Sequence, residues 1–149
     1  MTIIGVNANN LLNKIESFEN WLKEKSPAIF IIQETKVPWT GQMKTISTSN
    51  FQIYEQIREV NPALGGGLCI GVSKNFPSTV LREGGSEAEC ISVQVELGQQ
   101  QLVVVCGYGP QENAGLAKKE SFWQYLEREV EEASREEKMR VIQMDSNSW

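Results

Sequence analysis

The chain has no histidine and a single aspartate, Asp145, among its 149 residues. No apolar run approaches the ~20 residues of a membrane-spanning helix. The N-terminus also lacks the basic stretch and apolar core of a secretory signal. We therefore expect an intracellular protein with no membrane segment.

Cysteine is scarce and irregularly placed. Cys69, Cys90 and Cys106 are separated by 21 and 16 residues, and these intervals fit no zinc-binding pattern. An odd number of cysteines without a secretory signal indicates reduced thiols. All three lie in apolar, strand-like stretches, so we interpret them as packing residues.

Positive charge is in deficit, with a formal net charge of −5. A non-specific nucleic-acid binder normally presents a basic surface, so the balance argues against that class. The argument is only partial, because residues 127–137 carry six of the glutamates. A metal-dependent nuclease also keeps its site acidic. We expect the glutamate-rich face of this stretch to be exposed to solvent.

The chain begins with a predicted β-α-β unit. Residues 3–6 form a short apolar strand, and Leu11, Ile15, Phe18 and Leu22 follow at helical spacing. One of the asparagines before Leu11 can cap this helix, and Pro27 ends it. Residues 28–32 are uninterrupted apolar positions, which predicts a strand buried on both faces.

A β meander, a second helix and a last strand complete the predicted α/β fold. The predicted strands cover residues 51–54, 68–72, 79–81, 91–97, 102–106 and 141–144, and the predicted helix covers 118–138. The chain contains no linker, repeat or low-complexity segment. At this length it is one domain, residues 1–149, able to bury about 70% of its unfolded surface.

Acidic and amide side chains follow two of the apolar strands. Glu34 lies at the carboxyl end of its β-α-β unit, where sites in α/β folds are usually found, and magnesium prefers such oxygen ligands. Asp145 can accept a proton from an attacking water, and Asn147, two residues later, can donate hydrogen bonds to developing charge. Glu34 alone would more often be a solvated loop residue, and Asp145-x-Asn147 fits an Asx-turn equally well.

Three further residues are candidates for the same cleft. Asn7 and Asn9 lie two apart after the first strand, and helix capping accounts for only one of them. Tyr108 follows a buried strand, where its phenol could contact a phosphate oxygen or simply pack at the core boundary. The glycines at 65–67 lack the Lys-Ser/Thr of a phosphate-binding loop and precede a strand, so we interpret them as a turn.

Five short motifs follow one another along the chain. They are Asn7-Ala8-Asn9, Gln33-Glu34-Thr35-Lys36, Gly66-Gly67-Leu68, Tyr108-Gly109-Pro110 and Asp145-Ser146-Asn147-Ser148-Trp149. In this order they resemble the endonuclease/exonuclease/phosphatase superfamily. The resemblance is strongest to apurinic/apyrimidinic endonucleases and to the endonuclease domains of non-LTR retrotransposon endonuclease–reverse transcriptase proteins.

The resemblance implies a fold, a cofactor and a set of roles. The fold would be the first part of a four-layer, DNase I-like α/β sandwich with two main helices. Glu34 and Asn7 would hold magnesium or manganese, and Tyr108 would contact the scissile phosphate of DNA. Asp145 would activate the attacking water with help from Asn147. The same resemblance gives Gln111 and Asn9 as substrate-contacting positions.

The chain departs from the family pattern in three places. Asn9 stands where relatives often have aspartate, and Met144-Asp145-Ser146-Asn147 replaces a usual Gly-Asp-Phe-Asn. The family's later motifs, including a Ser-Asp-His that stabilises the transition state, are absent. The resemblance therefore implies a domain without its C-terminal part and with little turnover, since removing one preorganised transition-state contact typically costs ~100- to 1,000-fold in rate.

Absence of that part predicts a surface needing cover. The runs 28–32 and 102–106 require packing on both faces, and two helices would cover only one face. We expect the other face to pair with a second copy or with a complementary fragment, because large exposed apolar patches are rare.

Three functions follow from these observations. The first is magnesium-dependent hydrolysis of a DNA phosphodiester, of the kind that nicks a retrotransposon target. The second is a non-catalytic module that acts through association. The third is a phosphatase of the same superfamily, acting on small phosphate esters.

Overall fold

Two four-stranded sheets and two long helices make up the fold. A computed structural model describes residues 1–36, 49–56, 66–84, 88–110 and 114–145. In chain order the elements are β1 (Ile3–Asn7), a 3₁₀ turn (Leu12–Lys14), α1 (Ile15–Lys25), β2 (Ile29–Gln33), β3 (Phe51–Gln56), β4 (Leu68–Ser73), β5 (Ser78–Glu83), β6 (Cys90–Leu97), β7 (Gln100–Tyr108), α2 (Leu116–Arg135) and β8 (Met139–Asp145).

Each sheet is mixed, with one parallel pair at its edge. The first sheet has the order β1-β2-β4-β3 and the second the order β5-β6-β7-β8. The parallel pairs are β1 with β2 and β7 with β8, and the other neighbours are antiparallel. A parallel pair requires a crossover, which α1 and α2 supply. All predicted strands and both predicted helices are therefore present, as is the mixed α/β class.

The main core lies between the two sheets. Alternate side chains of β2 and β4 meet alternate side chains of β6 and β7, among them Ile31, Ile70, Val93 and Val104, each at most 1% exposed. Burying one such side chain contributes about 1.5–3 kcal/mol. This core buries one face of the two strands that were predicted to be buried on both faces.

The helices supply the other cover. Phe18 and Leu22 of α1 pack on the outer face of the first sheet, and Phe122 and Leu126 of α2 pack on that of the second. The layers are helix, sheet, sheet and helix. The expectation that one sheet face lacks cover is therefore wrong, because the β meander forms a second sheet within the chain.

Two further expectations differ from the structure. The 3₁₀ turn and α1 begin without any side-chain cap, because their N-cap positions are Leu11 and Lys14 and not an asparagine. The Asn7 amide oxygen instead accepts a hydrogen bond from the backbone N–H of Asn9 (3.1 Å). The glutamate-rich face of α2 is not wholly solvated. Glu129 is 3% exposed and pairs with Arg82 of β5.

Two expectations about compartment have partial outcomes. Cys69, Cys90 and Cys106 are free and buried, as predicted. Among the described residues, no helix is long and apolar enough to cross a membrane. The intracellular location itself stays a prediction.

Candidate functional site

The carboxyl ends of β2, β7 and β8 meet at one edge of the sandwich. Gln33, at the end of β2 and 2% exposed, donates its side-chain amide to the carbonyl oxygens of Gly107 and Gln143 (3.3 Å for the latter). One buried amide thus ties the first sheet to both parallel strands of the second. The side chains that follow these strands are brought to the same place.

Glu34 and Tyr108, which are 74 residues apart, are joined directly. The Tyr108 hydroxyl donates a hydrogen bond to Glu34 Oε1 at 2.8 Å. The Tyr108 ring is 5% exposed, so its phenol has a defined position. The carboxylate predicted to hold a metal is therefore held by the phenol predicted to contact a phosphate.

The loop after β1 runs alongside the segment after β2. The backbone N–H groups of Ala8, Asn10 and Leu11 donate to the carbonyl oxygens of residues 33, 34 and 35, each at 2.9 Å. The loop that carries Asn7 and Asn9 therefore runs beside Glu34, and a cleft shared by their side chains stays a prediction.

A glycine turn supports the segment after β2 from its other side. Thr35 N–H donates to Gly67 O (3.2 Å) and Lys36 N–H to Gly66 O (3.1 Å). Gly67 has φ +83°, and a Cβ there would lie 2.2 Å from Thr35 Oγ1. The turn predicted at these glycines therefore positions the segment that carries Glu34.

Backbone strain is concentrated in these two loops. Asn9, Asn10, Glu34 and Lys36 have φ values of +43°, +79°, +54° and +51°. Side chains other than glycine cost about 1–2 kcal/mol in this region. Such strain tends to accumulate at functional sites.

Two lysines that the sequence analysis did not select are also here. Lys36 Nζ donates to Asn9 Oδ1 at 2.7 Å, and Lys14 Nζ donates to Ala8 O at 2.7 Å and to Asn9 O at 3.3 Å. Lys36 was visible within the Gln-Glu-Thr-Lys motif, but the partner of its side chain was not. Lys14 carried no sequence signal beyond its place before α1.

The remaining predicted residues are only partly placed. Asp145 ends β8 and its backbone lies in register with Tyr108 of β7, which puts it at the same edge. Asn147 and Gln111 lie outside the described residues.

The donor set can be compared with what magnesium requires, namely oxygen ligands with one or two carboxylates, water and phosphate. Glu34 Oε2 has no hydrogen-bond partner among the described residues, and the Asn7 amide oxygen keeps a second lone pair. Within the described ranges no group of three or more histidine, cysteine, aspartate or glutamate side chains could hold a metal. The residues fit an ion held by one glutamate and completed by water and substrate.

Comparisons with known proteins give a result at the level of fold. No family model matches the chain, and no curated protein matches it. Solved structures do match. They include the catalytic domain of Xenopus laevis APE2 (TM-score 0.72, 14% identity, covering 99% of this chain and 59% of that one). They also include human Nocturnin (0.67, 13%, 97% and 62%) and the endonuclease domain of TRAS1, a telomere-specific non-LTR retrotransposon (0.64, 14%, 98% and 59%).

This likeness concerns the fold. Identities of 13–14% show a shared fold and not a shared activity. The chain also spans less than two thirds of each of these neighbours. The chain shares a DNase I-like fold with these neighbours.

Proposed function

We propose that this site serves metal-dependent hydrolysis of a DNA phosphodiester, of the type that nicks a retrotransposon target. The observation that carries the proposal is the hydrogen bond from Tyr108 to Glu34 (2.8 Å) at the carboxyl ends of β2 and β7. It unites a candidate metal ligand with a candidate phosphate contact in a fold that the TRAS1 endonuclease domain shares.

Each candidate residue would have its own role in the hydrolysis. Glu34, with Asn7, would hold magnesium or manganese, which supplies charge stabilisation at the phosphate. Tyr108 keeps the carboxylate oriented and can turn its phenol to a phosphate oxygen. Asp145, in register with Tyr108, would take the proton of the attacking water. Asn147 would assist it, and Asn9 and Gln111 would contact substrate.

We expect slow turnover from this chain. It contains no histidine, so no imidazole can donate to the charge that develops on the phosphate. A missing preorganised donor of this kind typically costs ~100- to 1,000-fold in rate. The activity of the parent chain will therefore be weak, and the assay must be sensitive enough to detect its loss in a variant.

Nicking of supercoiled plasmid with magnesium tests the proposal. We expect slow nicking by the parent and none by Glu34→Gln, which keeps the side-chain volume but removes the charge. Glu131→Gln, an exposed glutamate on α2, is the matched control and should nick as the parent does. Calorimetric titration with Mn²⁺ gives a second readout, since only Glu34→Gln should weaken binding of the ion.

Other outcomes favour the other functions. Release of phosphate from small phosphate esters, without nicking, would favour a phosphatase. A chain that neither nicks nor binds Mn²⁺ would be a non-catalytic module, and the proposal would be withdrawn.

A further inference from the structure

Two ammonium groups converge on one residue of the loop after β1. Lys36 reaches the Asn9 side-chain oxygen (2.7 Å), and Lys14 reaches the Asn9 backbone oxygen (3.3 Å) and that of Ala8 (2.7 Å). Both nitrogens therefore lie within hydrogen-bonding distance of Asn9. One lysine comes from the first sheet's strand end and the other from the turn before α1.

The charges of these two lysines are not neutralised within the described part of the chain. Every contact of Lys14 and Lys36 given by the structure is to an amide or carbonyl oxygen. By contrast, Arg82 pairs with Glu129 and Glu132, and Lys138 pairs with Glu136. In a chain of net charge −5, this loop therefore carries a local positive charge.

Both lysines also keep donors to spare. An ammonium group has three N–H donors; Lys36 uses one in the described contacts and Lys14 uses two. Lys14 is exposed and Lys36 is half-buried. The spare donors can therefore reach an anion from solvent.

The position of the loop connects this charge with the candidate active site. Asn10 N–H donates to Glu34 O (2.9 Å), and Lys36 follows Glu34 by two residues. An anion bound by the lysines would lie beside the group that Glu34 and Tyr108 address. A nucleic-acid strand presents one phosphate after another, so it could offer a phosphate to each of these neighbouring groups.

Asn9 is what leaves Lys36 available. An aspartate at this position would turn the 2.7 Å contact into an ion pair and remove the local positive charge. The neutral amide orients the ammonium group without neutralising it.

We propose that Lys14 and Lys36, oriented by the Ala8–Asn9 loop, bind a phosphate of the nucleic-acid backbone adjacent to the one addressed by Glu34 and Tyr108. The proposal rests on the proposed function for the choice of polymer, and it assigns an electrostatic substrate contact to two lysines. Each such contact releases counterions, so its loss lowers the salt dependence of binding.

Binding can be tested without catalysis. Anisotropy of a fluorescein-labelled DNA duplex is measured in EDTA over a range of salt concentrations, for the parent and for the double variant Lys14→Gln/Lys36→Gln. We expect weaker binding and a slope of log K against log salt that is smaller in magnitude by about one, because the contact to one phosphate is lost. Lys23→Gln/Lys25→Gln, which removes the same charge from the other end of α1, should change the slope little.

A third variant removes no lysine. Asn9→Asp should weaken binding in the same direction as Lys36→Gln, because it pairs the ammonium group internally. Competition by inorganic phosphate distinguishes the sources of the anion: displacement of DNA by phosphate at equal phosphate concentration would point to a site for a free anion and overturn the backbone assignment.

The inference is overturned if the parent does not bind the duplex, or if both double variants lose equal affinity. These outcomes are separable from failure of the proposed function. Loss of DNA binding in the Lys14/Lys36 variant of a protein that never nicks would support the inference and leave the hydrolysis unsupported. Normal binding and slope in that variant of a protein that does nick would do the reverse.

Discussion

At the scale of single residues, the contact between Tyr108 and Glu34 organises the candidate site. Tyr108 is 5% exposed. Tyr108→Phe removes the hydrogen bond that it donates and keeps the packed ring. We expect a loss of about 1.5–3 kcal/mol in the free energy of unfolding, typical of a hydrogen bond to a charged group, measured by urea denaturation. The affinity for Mn²⁺ should fall as well, because the Glu34 carboxylate loses its orientation.

The matched control for this variant is Tyr54→Phe. Its hydroxyl bonds Ser78 Oγ at 2.8 Å, between β3 and β5. Removing it should lower stability while leaving Mn²⁺ affinity as in the parent. Equal Mn²⁺ affinity in both variants would show that Tyr108 does not position Glu34.

A second prediction at this scale concerns Gly67. Gly67→Ala places a Cβ at φ +83°, and 2.2 Å from Thr35 Oγ1, so Thr35 has to move. Gly98→Ala has a similar backbone penalty at φ +68° but meets nothing within 4 Å. We expect Gly98→Ala to cost about 1–2 kcal/mol in unfolding free energy and Gly67→Ala to cost more. Equal losses by thermal or urea denaturation would rule out the steric role of Gly67.

At the scale of elements, a polar network joins the edge strand β5 to α2. Arg82 pairs with the buried Glu129 and with the partly exposed Glu132. The Tyr125 hydroxyl donates to Arg82 O (2.7 Å) and contacts Ser92 Oγ (2.9 Å). Burial raises the pKa of Tyr125 above its ordinary value, so the hydroxyl stays protonated as a donor in alkaline solution as well as at neutral pH. The network explains why β5 and α2 hold polar side chains at positions facing each other.

Substitutions in this network should lower the free energy of unfolding strongly at the buried ion pair and little at the exposed one. Arg82→Leu leaves the Glu129 carboxylate buried and unpaired, so we expect a loss of about 3 kcal/mol in unfolding free energy. Glu132→Gln, at a site whose side chain is 38% exposed, should cost less than about 1 kcal/mol. Adding Glu129→Leu to Arg82→Leu should recover much of the loss in urea denaturation. A double variant as unstable as Arg82→Leu alone would contradict the buried-charge explanation.

At the scale of the whole molecule, the inner faces of the two sheets cover each other among the described residues. The predicted pairing therefore has no uncovered sheet face to use. Pairing with a second copy stays a prediction, and an edge strand is the surface that we would test for it, since open edges recruit further strands. The edge strand β8 exposes Ile142 (39%) and Met144 (36%). If copies pair there, Ile142→Lys should lower the mass measured by light scattering from dimer to monomer. Val80→Lys, on the edge strand β5, should leave that mass unchanged, and a monomeric parent would refute the pairing.

Most of the element order was predictable because it depends on local pattern. Alternating or continuous apolar runs identified the strands, and apolar residues at helical spacing identified α1 and the stretch that became α2. The start of α1 was predicted less well. One of the asparagines before Leu11 was expected to cap it, but the Asn7 amide oxygen accepts a hydrogen bond from the Asn9 backbone N–H instead. The loop that contains them is held by backbone hydrogen bonds to the segment after β2.

The candidate chemistry and the strands that carry it were predictable from local sequence patterns. The positions of Glu34, Tyr108 and Asp145 after apolar runs were enough to predict one shared edge, since strand ends in α/β folds converge. The contacts between distant residues, in contrast, depend on how the sheets pack. Apolar runs indicate that a strand is buried on both faces without indicating what buries it, so the second sheet within the chain was missed. The pairing of Glu34 with Tyr108 and of Lys36 with Asn9 depends on side-chain direction after folding, because residues 74 and 27 apart meet only once the sheets are packed.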